Sequence, residues 1–194
     1  MFSFSQLDAR VTDLLNTIIP PSPLLNSFFS FFSLQGNAFF IWVFLILVAL
    51  IFEERRNPGI SKRDISFITT FLICFILASL FSQIIIKNLV KRERPCSPKV
   101  IIESPEATDD VIKCLEDYSF PSSHATTALA AATVISAFDN KRKWVYFLVA
   151  ILISYSRIYL GYHYFLDVVA GGILGWTLSK IAIFQLRRTS RGHL

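Results

Sequence analysis

The stretch "SRIYLGYHYFLD" (156–167) places Arg157, His163 and Asp167 between two strongly apolar runs. His163 and Asp167 are four residues apart, a spacing at which helical side chains meet. That pairing suits an imidazole held by a carboxylate. Two other clusters have the same character. "KNLVKRERP" (87–95) sets Lys87 and Arg94 at the end of a long apolar run. If the helix continues to Pro95, both cations lie on one face. "FPSSHA" (120–125) opens a further apolar run, with Ser122 and Ser123 at cap positions and His124 just after them. An arginine fork pairs two oxygens of a phosphate, while a lysine supplies a point charge. A helix N-terminus adds backbone N–H groups and the positive end of a dipole.

Taken singly, these residues have plainer explanations. A Lys or Arg at the end of a membrane span snorkels to the headgroups. A serine before a helix caps it. A His–Asp pair can be a structural hydrogen bond. Arg157 is harder to account for, because a charge within a membrane costs about 2.5–3.5 kcal/mol on insertion scales. The separate explanations also leave their gathering on one side unexplained. The third histidine, His193, lies in the tail, away from the others.

The elements that must position these groups are membrane helices. The 194 residues are 53% hydrophobic, and the aromatic residues are mostly Phe. The net charge of +5 does not indicate nucleic acid, because Lys and Arg cluster beside the apolar runs, as membrane-anchoring charges do. Five spans are predicted: 37–51, 65–86, 124–138, 144–160 and 164–184. A bilayer core takes about 20 apolar residues as helix. The third span is short and alanine-rich, "ATTALAAATVISAF", so it belongs inside the bundle. Ahead of the spans, "SQLDARVTDLLNTII" has Leu7, Val11, Leu14, Leu15 and Ile18 at helical spacing, but Asp8, Arg10 and Asp13 argue against spanning. This segment and "LLNSFFSFFSL" read as interfacial helices. The expected fold is an all-α integral membrane helical bundle of one domain, 1–194. Residues 1–36 form the interfacial part, 37–186 the transmembrane bundle and 187–194 a basic cytoplasmic tail. The opening residues lack a basic start followed by an apolar core, so no cleaved leader is expected.

Loop charge sets the orientation. "EERRNPGISKRD", "DNKRK" and "RRTSRGHL" fall on one side of a five-span bundle, and the positive-inside rule makes that side cytoplasmic. The loop from Lys87 to Ser123 then faces outward, together with all the residues named above. Cys96 and Cys114 flank its polar part. An oxidising compartment would permit a disulfide there, and a reducing one would leave two thiols. Gly171 and Gly175 in "GGILG" allow close helix packing and continue the face of His163 and Asp167.

The three segments together resemble the signature of the type 2 phosphatidic acid phosphatase family. That signature is Lys, six residues, Arg-Pro; then Pro-Ser-Gly-His; then Ser-Arg, five residues, His, three residues, Asp. The resemblance covers about residues 65–185. One departure is Ser123, where the family usually has Gly. The resemblance implies that His163 attacks phosphorus and becomes a phosphohistidine. Asp167 would hold its imidazole, and His124 would protonate the leaving oxygen and then activate water. Lys87, Arg94, Arg157, Ser122 and Ser123 would bind the phosphate. No metal or cofactor is expected, since two histidines and one carboxylate make a poor zinc site beside three cations.

The implied activity is hydrolysis of a lipid phosphomonoester or pyrophosphate at the outer leaflet of a bacterial cytoplasmic membrane. Lipid A 1-phosphate and undecaprenyl pyrophosphate are favoured; phosphatidylglycerol phosphate and phosphatidic acid are further candidates. The expected partners are that substrate and the bilayer lipids, with no nucleic acid. Two other readings are open. The same phosphohistidine could pass its phosphate to an acceptor lipid. Alternatively, the charges could line an anion pathway, although conduction would need them at several depths.

Overall fold

The computed structural model describes residues 4–95 and 117–191, all of it helix, turn and loop. The sequence expectations for Cys96, Cys114 and His193 lie outside the described residues. Two short helices come first, α1 (Phe4–Ile18) and α2 (Pro23–Ser33), followed directly by α3 (Gln35–Glu54). A long helix then runs as α4 (Lys62–Leu80), a π-helical turn (Phe81–Ile86) and α5 (Lys87–Val90). Further along the chain come α6 (Ser123–Phe138), α7 (Lys143–Tyr159) and α8 (Phe165–Arg191).

Three helical stretches are long and apolar enough to cross a bilayer: Asn37–Glu54, Lys62–Val90 and Phe165–Leu186. Their large side chains, such as Phe44, Leu47, Leu72, Ile76 and Ile173, are exposed. In water such a surface would be an aggregation hazard; in lipid tails it is at home. The protein is an integral membrane helical bundle.

Helix α6 is the central element. Ala125, Ala128, Ala130, Ala131 and Ala132 are all buried, as expected of a helix apolar on every side. Its small side chains let α8 come close. A Cβ added at Gly171 would fall 2.5 Å from the Ser122 carbonyl oxygen, and one at Gly175 would fall 2.0 Å from that of Thr126. Here glycine is required by backbone meeting backbone. Gly175→Ala is therefore expected to destabilise the protein by about 2–3 kcal/mol or more, read as a lower thermal midpoint in detergent. Gly172→Ala is the control and should leave the midpoint unchanged, since its Cβ would meet only the Leu129 side chain, at 3.5 Å.

The two ends of the bundle differ in charge. At one end Arg63 donates to the Phe138 carbonyl at the close of α6 (2.8 Å) and pairs with Glu53 (2.9 Å). A cation at a helix C-terminus complements its dipole. The basic loop before α4 and the basic turn before α7 thus lie at the same end. The N-terminus of α6 and the turn between α7 and α8 lie at the other.

The N-terminal helices are turned in a way the sequence did not reveal. Leu7, Leu14 and Ile18 of α1 are exposed, whereas Asp8 and Thr12 are buried against the bundle. In a membrane protein the apolar face can look out to lipid and the polar face inward.

Candidate active site

A cavity of about 360 Å³ opens at the less basic end of the bundle. Its wall brings together Lys87, Arg94, Ser123, His124, Arg157 and His163, from five separate segments of chain. Asp167 and Ser122 are fully buried and stand behind this wall.

Lys87 and Arg94 do not meet along one helical face, contrary to the expectation that the helix continues to Pro95. It stops at Val90, and Lys91 adopts a left-handed conformation (φ 50°) with its N–H on the Lys87 carbonyl at 3.0 Å. The chain reverses there and brings Arg94 back over the cavity. Upstream, the π-helical turn inserts extra backbone just before Lys87, a device common at functional sites. Lys87 is 7% exposed despite its charge. Its ammonium is bonded to the Asp117 carboxylate, which also accepts from Arg94 Nε at 2.9 Å. Burial alone would raise the Asp117 carboxyl, but the bond from Lys87 and the charge of Arg94 outweigh it and hold the group below the usual carboxylate range. A carboxylate thus rests where the Lys87 and Arg94 cations converge.

Arg157, near the end of α7, donates from Nη1 to the Ser33 carbonyl at 3.1 Å and to the Ser33 hydroxyl. Its guanidinium lies 4.2 Å from the centre of the Tyr162 ring. The C-terminal carbonyl of α2 and an aromatic face therefore orient the fork. This contact explains why α2 lies across α7, which the sequence did not disclose.

Ser122 takes the N-cap position of α6, but its side chain caps no N–H. Its backbone N–H instead donates to the Asp167 carbonyl at 3.0 Å, tying α6 to α8. The hydroxyls of Ser122 and Ser123 and Nε2 of His124 are buried without a hydrogen-bond partner among the described residues. Unpartnered buried polar atoms are costly, and those of Ser123 and His124 border the cavity. The first-turn N–H groups of α6 likewise have no intrahelical acceptor.

His163 sits in the turn just before α8, with its N–H on the Arg157 carbonyl at 3.1 Å. Nε2 lies 3.2 Å from Arg94 Nη1, which also donates to the Tyr162 carbonyl at 2.8 Å. Arginine can only donate, so Nε2 is the acceptor and the ring proton sits on Nδ1. Nδ1 faces Asp167 Oδ2 at 3.7 Å and the Ser119 hydroxyl at 3.5 Å. The Ser119 hydroxyl is itself bonded to the same Asp167 oxygen. Burial pushes the His163 imidazole down to about 4; the Asp167 carboxylate pulls upward, and the charges of Arg157 and Arg94 add to the lowering. At neutral pH the ring is uncharged, with a lone pair on Nε2 facing the cavity.

Ser119 escaped the sequence reading because nothing in "DYSFPSSH" distinguishes it from the two serines that follow. Arg92 and Asp8 were missed as well. Arg92 reaches Asp167 Oδ1 at 2.7 Å and Asp8 at 2.6 Å. One signal was available for Asp8: it is an acid three residues before Val11 and seven before Leu15, on the helical stripe that those residues define.

Known proteins resemble this chain in sequence and fold. Residues 67–191 match the family described as the PAP2 superfamily. The undecaprenyl-diphosphatase of Sulfolobus acidocaldarius is 31% identical over 163 residues, covering 82% of this chain and 69% of that protein. A lipid A 4'-phosphatase of Porphyromonas gingivalis is 28% identical over 160 residues, covering 79% of this chain and 62% of its own length. The crystal structure of Aquifex aeolicus LpxE superposes with a TM-score of 0.60 at 26% identity, covering 94% of this chain and 96% of that one. The matched region contains all three polar clusters and every residue of the cavity wall except Ser30, Ser33 and Leu34. The chain belongs to the PAP2 superfamily and is a membrane-embedded phosphatase of that family.

Proposed function

We propose that the protein removes phosphate from a lipid phosphomonoester or pyrophosphate, without a metal, through a phosphohistidine at His163. The observation that carries this reading is the single cavity wall shared by His124, His163 and three cationic side chains. His163 Nε2 attacks phosphorus, forming an N–P bond as the P–O bond to the lipid breaks. His124 gives its proton to the departing oxygen. It then takes a proton from water, whose oxygen displaces His163 and releases inorganic phosphate. Asp167 steadies the positive charge on the ring.

Lys87, Arg94, Arg157, the Ser123 hydroxyl and the N-terminus of α6 hold the phosphoryl oxygens. The bound phosphate supplies the negative charge that a protonated His124 needs among three cations. Asp117 must yield its place to that phosphate. Ser122 is assigned no direct contact, because it lies behind the wall.

A second cavity of about 180 Å³ supports a lipid substrate. It shares Gln83, Ser123 and His124 with the first and is walled by Phe39, Trp42 and Phe75 of α3 and α4. An acyl or prenyl chain suits that lining, while the headgroup suits the cationic side. Among substrates, undecaprenyl pyrophosphate and the phosphates of lipid A are favoured. A five-span arrangement, with α6 and α7 as the two shorter spans, and the basic loops at the far end support an outward-facing cavity in a bacterial inner membrane.

The test is phosphate release from a panel of lipid phosphates by the purified protein in detergent with EDTA. Free phosphate from at least one lipid, undiminished by the chelator, is expected. A requirement for added divalent metal would refute the mechanism. Transfer to an acceptor lipid with little free phosphate would favour phosphotransfer instead.

A further inference from the structure

We propose that Asp8 and Arg92 are positioning residues for the catalytic pair. In this arrangement Asp8 on α1 holds Arg92, and Arg92 holds the Asp167 carboxylate behind His163. The proposal rests on His163 acting as the nucleophile.

The geometry is that of one fork between two carboxylates. Arg92 Nη1 donates to Asp167 Oδ1 at 2.7 Å, and Nη2 donates to Asp8 Oδ2 at 2.6 Å. The guanidinium also lies over the Tyr164 ring, 4.1 Å from its centre. Asp8 and Asp167 are buried, at 1% and 0% exposure. Such carboxylates are tolerated only when fully bonded. Asp8 meets that demand with its other oxygen, which accepts the N–H of Leu166 at 3.0 Å. Thr12, one turn along, accepts the N–H of Phe165 at 2.9 Å. Helix α1 therefore caps the first turn of α8 from outside, and the first turn of α8 carries Asp167.

The remaining bonds of Asp167 explain why this matters. Oδ2 accepts from Ser119 and from the Tyr164 N–H at 2.9 Å. With Arg92 on Oδ1, the carboxylate cannot rotate, and its one edge toward Nδ1 of His163 stays in place. The Asp167 charge is also shared. Arg92 withdraws part of it from the imidazole, and Asp8 returns part by occupying Arg92. A lysine could not serve both acids in the same plane. The other charged or titratable groups around His163 are Tyr162 and Tyr164 beside it in the turn, Arg94 from the segment after α5, Arg157 from α7 and His124 from α6. Lys87 and Asp117 lie beyond Arg94. None of these contacts the outer oxygen of Asp167.

The test uses the full-length protein in detergent and a short-chain lipid phosphate that it hydrolyses. Asp8→Asn and Arg92→Gln should each lower kcat by about 10- to 100-fold, the range for outer partners of site residues. KM should change much less, because neither side chain lines the phosphate cavity. Arg92→Lys should not restore kcat. In an Asp167→Asn background, Asp8→Asn should cost less than about twofold, since residues acting as a unit are not additive. The acid limb of kcat/KM, followed from pH 3 upward, should move up in Arg92→Gln, where His163 loses a repelling cation. It should move down in Asp8→Asn, where an anion is lost.

Normal kcat in both folded variants would overturn the proposal. A loss confined to KM, or a full multiplicative loss on top of Asp167→Asn, would do the same. Failure of both variants to fold, judged by their thermal midpoints, would assign the cluster to folding and also overturn it. An active His163→Ala would instead defeat the underlying mechanism, whatever Asp8 and Arg92 do.

Discussion

His163→Ala should release phosphate at a rate lower by on the order of 10⁴-fold or more, since removing a nucleophile abolishes the covalent route. The wild-type protein, stopped early in turnover, should carry phosphate on one histidine, and this variant should carry none. Folding should be little affected, because the backbone N–H of His163 keeps its bond to the Arg157 carbonyl. The native ring is uncharged at neutral pH, so kcat/KM of the wild-type enzyme should be flat from pH 6 down toward pH 5. It should then fall as His163 protonates near 4, the sense expected of a base that must be free to attack. Retained turnover in His163→Ala, measured as phosphate release, would refute covalent catalysis here.

Arg157→Lys should lower kcat by about 10²-fold, the scale for removing one transition-state donor, although the charge is conserved. The guanidinium is held in plane by Tyr162 and by two bonds to Ser33. A lysine has no plane to stack and no second donor fixed toward the cavity. It could satisfy the Ser33 carbonyl or the phosphate, but not both in the same geometry. The loss should appear in kcat more than in KM, since the interaction strengthens as charge grows on the phosphoryl oxygens. Near-normal turnover in steady-state assays would show that a point charge at this place is enough.

How much of this was legible in the sequence depended on how local each relation is. The helices were readable because long apolar runs have few alternatives in lipid. The three polar clusters were readable because each keeps its spacing within a dozen residues. The path between clusters was less so. The left-handed turn at Lys91 replaced the predicted helical face because no glycine or proline announces it. The Ser33 partner of Arg157 lies 124 positions away, and the Asp8 partner of Arg92 lies 84 away. No periodicity carries such information. The facing of α1 was not legible from its apolar stripe either. In water it would mark the inward face, but here Leu7 and Leu14 look outward and Asp8 looks in.

The contact of α8 with α6 through Gly171 and Gly175 has a mechanical consequence. Where two main chains touch with no side chain between them, neither can slide or tilt without the backbones colliding. His124 and Asp167 ride on those two helices, and His163 directly precedes the second. The reacting half of the cavity is therefore stiff. Compliance, where lipids of different bulk demand it, belongs to the wall built by α3, which borders the second cavity with Ala38, Phe39 and Trp42. Substitutions there should alter which tail is accepted while leaving the chemistry of the headgroup intact.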